Sequence, residues 1–161
     1  MTKVVNVLQV PTGIIVPESM LEAQERLLAR FHPEDPPRAS RLQSVIDSDK
    51  SALIFAVIGN GLEGDLFWPK LNAERYVGTL TLLELETSTR LSGYIEHVVV
   101  EEAHEGRGIG SLLVKKAIEV AENKGMSRLD LTSSATKQSA QRLYQKMGFL
   151  RRETNNWRLE L

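Results

Sequence analysis

The stretch His97–Gly125, HVVVEEAHEGRGIGSLLVKKAIEVAENKG, decides the fold. Val98, Val99 and Val100 close a β-branched run, and Glu101–Glu105 leads into three glycines at alternate positions, Gly106, Gly108 and Gly110. Ile109, Leu112, Leu113, Ala117, Val120 and Ala121 then recur at three- and four-residue steps, which predicts an amphipathic helix about four turns long. Lys124 falls in its last turn and Gly125 stops it. Arg128–Leu131 reads as a short strand. Strand, glycine turn, helix and strand therefore form one right-handed crossover joining two parallel strands.

Working outward, Gly93–Val100 and Arg75–Leu85 (RYVGTLTLLEL) predict an antiparallel pair around a turn at Ser88–Ser92. Ser51–Ile58 (SALIFAVI) is a strand ended by Gly59-Asn60-Gly61, and Val4–Val10 is a first strand ended by Pro11 and Gly13. Between them, a helix opening at Pro17-Glu18-Ser19 is stopped by Pro33, Pro36 and Pro37, and a shorter helix covers Ala39–Ile46. Leu62–Asn72 reads as an irregular loop. Downstream, Gln138–Met147 is a helix stopped at Gly148, and Phe149–Arg152 and Trp157–Leu161 read as closing strands. The expected fold is a single α/β (α+β) domain ordered β α α β β β α β α β β, with one mixed, mostly antiparallel sheet and about four helices.

The 161 residues suit one domain, and 42% hydrophobic with 25% charged residues is ordinary globular usage. Lys plus Arg number 20 against 21 Asp plus Glu, so there is no basic excess for a phosphate backbone and no nucleic acid is expected as partner. The absence of cysteine excludes thiol nucleophiles, thiolate metal sites and disulfides, and fits a cytoplasmic location. No apolar run is long enough to span a bilayer, so no membrane partner is expected. His32, His97 and His104 are scattered with no H-E-x-x-H pattern, so no metal is expected.

Chemistry concentrates at the glycine turn. Alternate glycines let backbone N–H groups converge, and the helix N-terminus behind them adds positive potential, so an anion is the natural occupant. A dinucleotide fingerprint fails because Ser111 stands where a third-spaced glycine is needed, and a P-loop fails for want of lysine after Gly110. The competing reading is a helix that merely begins at a glycine-rich turn.

The segment from His97 to Gly125, followed by QRLYQKMGF, strongly resembles the GNAT superfamily of acetyl-CoA-dependent N-acetyltransferases. Its hallmark Q/R-x-x-G-x-G/A is met by Glu105-Gly106-Arg107-Gly108-Ile109-Gly110, with Glu105 replacing the usual Gln or Arg. A carboxylate there repels a pyrophosphate unless it turns outward or Arg107 offsets it. The resemblance covers about Arg75–Leu161. It implies that the turn from Glu105 to Ser111 holds the cofactor pyrophosphate, and that the sheet splays between its fourth and fifth strands. It implies that Val98, Val99 and Val100 bind the pantetheine arm, and that the last helix, with Ala140, lies against the cofactor. Lys137 stands where the family often carries Asn seven residues before the tyrosine, here Tyr144, so that contact does not transfer, and Lys137 is instead a candidate to reach a cofactor phosphate. Residues 1–72 would then shape the acceptor site and 75–161 the cofactor core.

Two side chains are candidates for catalysis. Tyr144, in a motif similar to the family's LYxxxGF, would hydrogen-bond or protonate the leaving thiolate; otherwise it is a core tyrosine beside Ala140 and Leu143. Glu96 would be the base that deprotonates the amine. Simple alternation puts it on one face with Tyr94, Val98 and Val100, unless that face is the wetter one or a bulge near Val98 reverses the alternation. Trp68, with Phe67 and Pro69, is either an acceptor wall or a plug over the core, and Glu84 and Glu86 either attract an amine or are solvated. The resemblance implies an acetyltransferase that uses acetyl-CoA as cosubstrate and passes acetyl directly to a primary amine, of a small molecule or a protein, in a ternary complex. The alternatives are a catalytically idle CoA-binding module and a protein-interaction partner. Trp157–Leu161 is a candidate for homodimer contact.

Overall fold

A computed structural model describes residues 4–29, 31, 33–59, 68 and 70–161. The elements are β1 (Val5–Gln9), α1 (Glu18–Leu28), α2 (Ala39–Asp47), β2 (Ser51–Ile58), β3 (Tyr76–Thr87), β4 (Arg90–Val100), α3 (Ile109–Asn123), β5 (Leu129–Leu131) and α4 (Gln138–Lys146). They form one five-stranded sheet in the order β1-β2-β3-β4-β5, antiparallel from β1 to β4 and parallel between β4 and β5. The expected crossover from β4 through α3 to β5 is present.

The sheet carries a core on each face, which explains the unbroken apolar run of β2. Leu53, Phe55 and Val57 face α1 and α2, whereas Ala52, Ile54 and Ala56 face α3. A strand covered on both sides has no polar face to alternate. Helix α1 buries Met20, Ala23, Gln24, Leu27 and Leu28, and α2 buries Leu42 and Ile46. Helix α3 buries Ile109, Leu113, Val114, Ala117, Val120 and Ala121. Leu112, counted on that apolar face from spacing, is instead exposed, and Val114 takes its place. Trp68 plugs the core against Phe55 and Tyr76, with ring centroids 6.3 and 6.2 Å away, and is no acceptor wall. Phe67, Pro69, His32 and most of the 62–72 loop lie outside the described residues.

Two further expectations are corrected. Phe149–Arg152 and Trp157–Leu161 are not strands. Strand β5, the sheet edge nearest them, is only three residues long, and Leu150, Trp157 and Leu159 are each more than 80% exposed, covered by neither sheet nor core. The second correction concerns β4. Thr79 pairs with Val99 but Thr81 with Glu96, so three steps of β4 oppose two of β3. The extra residue is taken up at a bulge where His97 has φ of 55°. Alternation therefore reverses within the strand. Ile95 belongs to the α3 core, Val98 and Val100 pack against it, and Val99 belongs to the α1–α2 core. Glu96, opposite Thr81, turns to the α1–α2 face with Tyr94 and Val99, not with Val98 and Val100.

Candidate active site

The two parallel strands separate at one end. Their ladder pairs Gly93 with Leu129, Tyr94 with Asp130 and Ile95 with Leu131, then stops, while β4 runs on through Glu96 to Val100. The chain leaves β4 through Glu101, makes a single 3-10 turn at Glu102–His104 and enters the glycine turn. Gly106 and Gly108 both take positive φ, 73° and 78°, and an added Cβ would meet nothing within 4 Å at either. Space is open above them, so the backbone conformation is what selects glycine there. Gly108 caps α3 without a side-chain hydrogen bond, and Leu112 N–H to Gly108 O, 3.1 Å, is the first bond into the helix. The amides of Ile109, Gly110 and Ser111 precede it and lie at the positive end of the helix dipole. Glu105 and Arg107 are both exposed.

Gly110 serves packing. A Cβ there would fall 2.8 Å from Leu143 Cδ1, so its absence lets α4 approach the first turn of α3. That approach brings in Tyr144, the next residue of α4, whose ring meets Phe149 edge to face at 5.9 Å. Burial raises the Tyr144 phenol above its usual pKa of 10.0, so it stays protonated through the neutral range. Ala140 is half-buried one turn earlier. Lys137, the residue capping α4, places Nζ 3.8 Å from the centroid of the Phe31 ring, joining α4 to the segment between α1 and α2.

Glu96 follows the last β4 residue paired with β5 and stands on the α1–α2 face, whereas Tyr144 packs against the core on the α3 face. Glu96 is half-buried, its neighbour across the ladder is buried Thr81, and among the described residues no cation pairs with its carboxylate. Glu84 and Glu86 are committed elsewhere, to Lys124 at 3.0 Å and Lys50 at 3.5 Å. Among the described residues no cluster of three or more His, Asp or Glu is arranged for a metal ion, and no helix is long and apolar enough to cross a membrane.

Some participants escape a motif search. Arg26 of α1 donates through Nη2 to Tyr76 O at 2.6 Å and Ala73 O at 3.0 Å, and pairs through Nε with Glu101 at 3.3 Å. The other Glu101 oxygen lies 3.7 Å from His104 Nε2. This chain of contacts fixes the entrance to the glycine turn against α1. Tyr94, two residues before Glu96 on the same face, donates its hydroxyl to Thr132 Oγ1 at 3.2 Å, across to the residue following β5. Asp130 shares that face and holds Arg128 at 2.9 Å and Arg152 at 3.8 Å. The alternation Arg128-Leu129-Asp130-Leu131 is the sequence signal for that charged face.

A mixed sheet whose two parallel strands part before an amide-rich helix entrance leaves an open strand edge beside an anion-binding helix N-terminus. The chain belongs to the acetyltransferase (GNAT) family, whose model matches residues 21–149. It is similar to human N-acetyltransferase 8B, at 33% identity over 88 residues, 53% of this chain and 39% of that protein. It is also similar to N-alpha-acetyltransferase MAK3 of Arabidopsis thaliana, at 32% over 89 residues, 52% of this chain and 47% of that protein. These matches span less than half the length of the curated relatives. Among solved structures, a putative acetyltransferase from Agrobacterium tumefaciens superposes with a TM-score of 0.73 at 22% identity, covering 96% of this chain and 99% of that one.

Proposed function

We propose that the protein transfers acetyl from acetyl-CoA to a primary amine by direct attack in a ternary complex. The observation that carries this reading is the parting of β4 from β5 just before Glu96, with the bulge turning Glu96 to one face and the glycine-turn amides standing beyond. The turn from Glu105 through Gly106, Arg107, Gly108, Ile109 and Gly110 to Ser111 holds the pyrophosphate on backbone N–H groups. Absent side chains at Gly106 and Gly108 leave room for it. Val98, Val99 and Val100 offer the strand edge to the pantetheine arm, and Lys137 and Ala140 lie along it from α4.

Acetyl-CoA supplies the activated acyl group. Glu96 takes a proton from the acceptor ammonium, and the protonated Tyr144 phenol donates to the departing sulfur. The N-terminal part, through residue 72, shapes the acceptor side, and residues 75–161 hold the cofactor. The exposed stripe of Trp157, Leu159 and Leu161 supports a homodimer, tested by light scattering of the full chain against one ending at residue 156.

A thermal melt with and without acetyl-CoA tests the cofactor site, with AMP as control. At 100 times its Kd the ligand adds about 2.7 kcal/mol of stability. Release of free thiol with an amine panel then tests transfer. A melt unmoved by millimolar acetyl-CoA would overturn the reading.

A further inference from the structure

The face on which Glu96 stands continues as an ordered pair of rows. In one row Thr81 neighbours Glu96; in the next, Leu83, Tyr94 and Asp130 lie side by side. Glu96, Tyr94 and Asp130 are only half-buried and Thr132 is exposed, so this part of the face is open. Asp130 is not a lone carboxylate. Arg128 Nε lies 2.9 Å from one of its oxygens and Arg152 Nη1 3.8 Å from the other, so two guanidiniums meet one carboxylate. Each guanidinium has five N–H donors, and one carboxylate cannot occupy them all. The cluster therefore presents an acceptor oxygen surface and an excess of fork-shaped donors together. That combination matches a molecule carrying an ammonium and a carboxylate on one carbon.

Spacing converts the match into a substrate class. Two residues along a strand and one strand across separate the Cα atoms of Glu96 and Asp130 by roughly 8 Å. The terminal nitrogen of an extended lysine lies about 6 Å from its Cα, counting five bonds of ordinary length and angle. Between the two ends lies the Tyr94 ring, tethered by its hydroxyl to Thr132, an uncharged surface suited to a methylene chain.

We infer that the acceptor is a free diamino acid, with its α-ammonium at Asp130, its carboxylate at Arg128 and Arg152, and its side-chain amine at Glu96. This rests on the transferase reading of Glu96. In the step itself the side-chain ammonium gives a proton to Glu96, the freed amine nitrogen bonds to the acetyl carbon, and the carbon–sulfur bond breaks as that nitrogen loses its second proton to solvent; Glu96 then releases its proton to solvent. The sulfur takes a proton from Tyr144, which is then restored from solvent. Amine and thioester become amide and thiol, and one proton is released for each ammonium consumed.

The probes are lysine, lysine methyl ester and cadaverine, which keeps the terminal amine and lacks the carboxylate. Each is titrated calorimetrically into the full chain saturated with CoA, and each is compared in kcat/KM with acetyl-CoA. Lysine is expected to bind and react at least about tenfold better than either analogue. In the Arg128→Gln/Arg152→Gln double variant that ratio falls towards one, while the melt shift with acetyl-CoA shows the fold kept. Asp130→Asn weakens lysine and cadaverine alike, since both keep the ammonium that Asp130 would hold. Equal use of cadaverine and lysine, or a ratio unmoved by the double variant, overturns the inference and leaves the transferase reading standing. Lysine binding that depends on the two arginines without turnover of any amine overturns the transferase reading, and with it the acceptor role inferred for the diamino acid. An absence of lysine binding to the CoA-saturated protein overturns the inference.

Discussion

Replacing Gly108 by alanine isolates one cause of cofactor affinity. The new methyl group meets nothing within 4 Å, so no clash enters, and the only penalty is holding an L-residue at φ of 78°. That left-handed conformation costs an alanine roughly 1–2 kcal/mol relative to glycine. The cost has two places to fall. If the fold holds the turn in place, the variant loses that stability and binds acetyl-CoA normally. If the turn relaxes in the unliganded protein, stability is kept and the strain is met on binding, which weakens the cofactor about 5- to 30-fold. Because both routes end in the same bound state, the loss of stability and the loss of binding energy sum to the same 1–2 kcal/mol. Urea denaturation gives the first quantity and calorimetric titration of acetyl-CoA the second. Gly108→Asn, whose side chain tolerates the left-handed region, recovers a large part of the sum. A Gly108→Ala chain with unchanged stability and unchanged affinity would refute the account, as would an asparagine no better than alanine.

Glu96→Gln should lower kcat/KM by about 100-fold or more while the acetyl-CoA melt shift persists, since a base is lost and no cofactor contact is. A variant within a few fold of wild type would remove Glu96 from the chemistry. Tyr144→Phe should cost about 10- to 100-fold in kcat with little change in acetyl-CoA affinity. In the wild type, burial raises the pKa of the phenol, so any alkaline fall in kcat due to Tyr144 is displaced to higher pH than for a free tyrosine and is absent from the phenylalanine variant. Tyr76, buried between Phe55 and Trp68, has its pKa pushed up to about 12 by desolvation. The unfolded phenol ionises near 10 while the folded one keeps its proton. Its contribution to stability is therefore complete below pH 10 and is lost as pH rises through 12, about 1.4 kcal/mol at pH 11. Urea melts of wild type and Tyr76→Phe between pH 9 and 11 should diverge by that amount, and parallel curves would contradict it.

Most of the scaffold is legible in the sequence because each element carries its own local signal. Ser51–Ile58 coincides with β2 residue for residue, since an apolar β-branched run between turn residues has few alternatives. Helix α3 is equally clear from its three- and four-residue steps. The terminal strands fail for the complementary reason. Trp157, Leu159 and Leu161 alternate as a strand should, but a strand is completed by hydrogen bonds to a neighbour, and alternation says nothing about whether a neighbour is present. Tyr94, Arg128 and Asp130 carry no signal of a shared site, because each is an ordinary residue in sequence. Only the parallel register between β4 and β5 puts Asp130 level with Tyr94.

The face of Glu96 is the least legible feature of the site, and it turns on a single extra residue. An unbulged β4 would put Glu96 with Val98 and Val100 and direct all three towards one core. The bulge at His97 instead divides the strand: Tyr94 and Glu96 before it look towards α1 and α2, whereas Val98 and Val100 beyond it pack beneath α3. His97 takes positive φ without being glycine, a conformation the surrounding pairs must hold in place. On the proposed reading, the strand then presents an acid–base group towards the acceptor on one face and Val98 and Val100 towards the cofactor on the other. Deletion of His97 would remove the extra residue and leave one-to-one pairing of β4 with β3, with Thr81 still opposite Glu96 and Thr79 still opposite Val99, so every side chain keeps its face. The expected result is a chain that keeps both cores and its acetyl-CoA melt shift. A deletion variant that loses the core packing or the melt shift would show that the bulge does more than take up one residue.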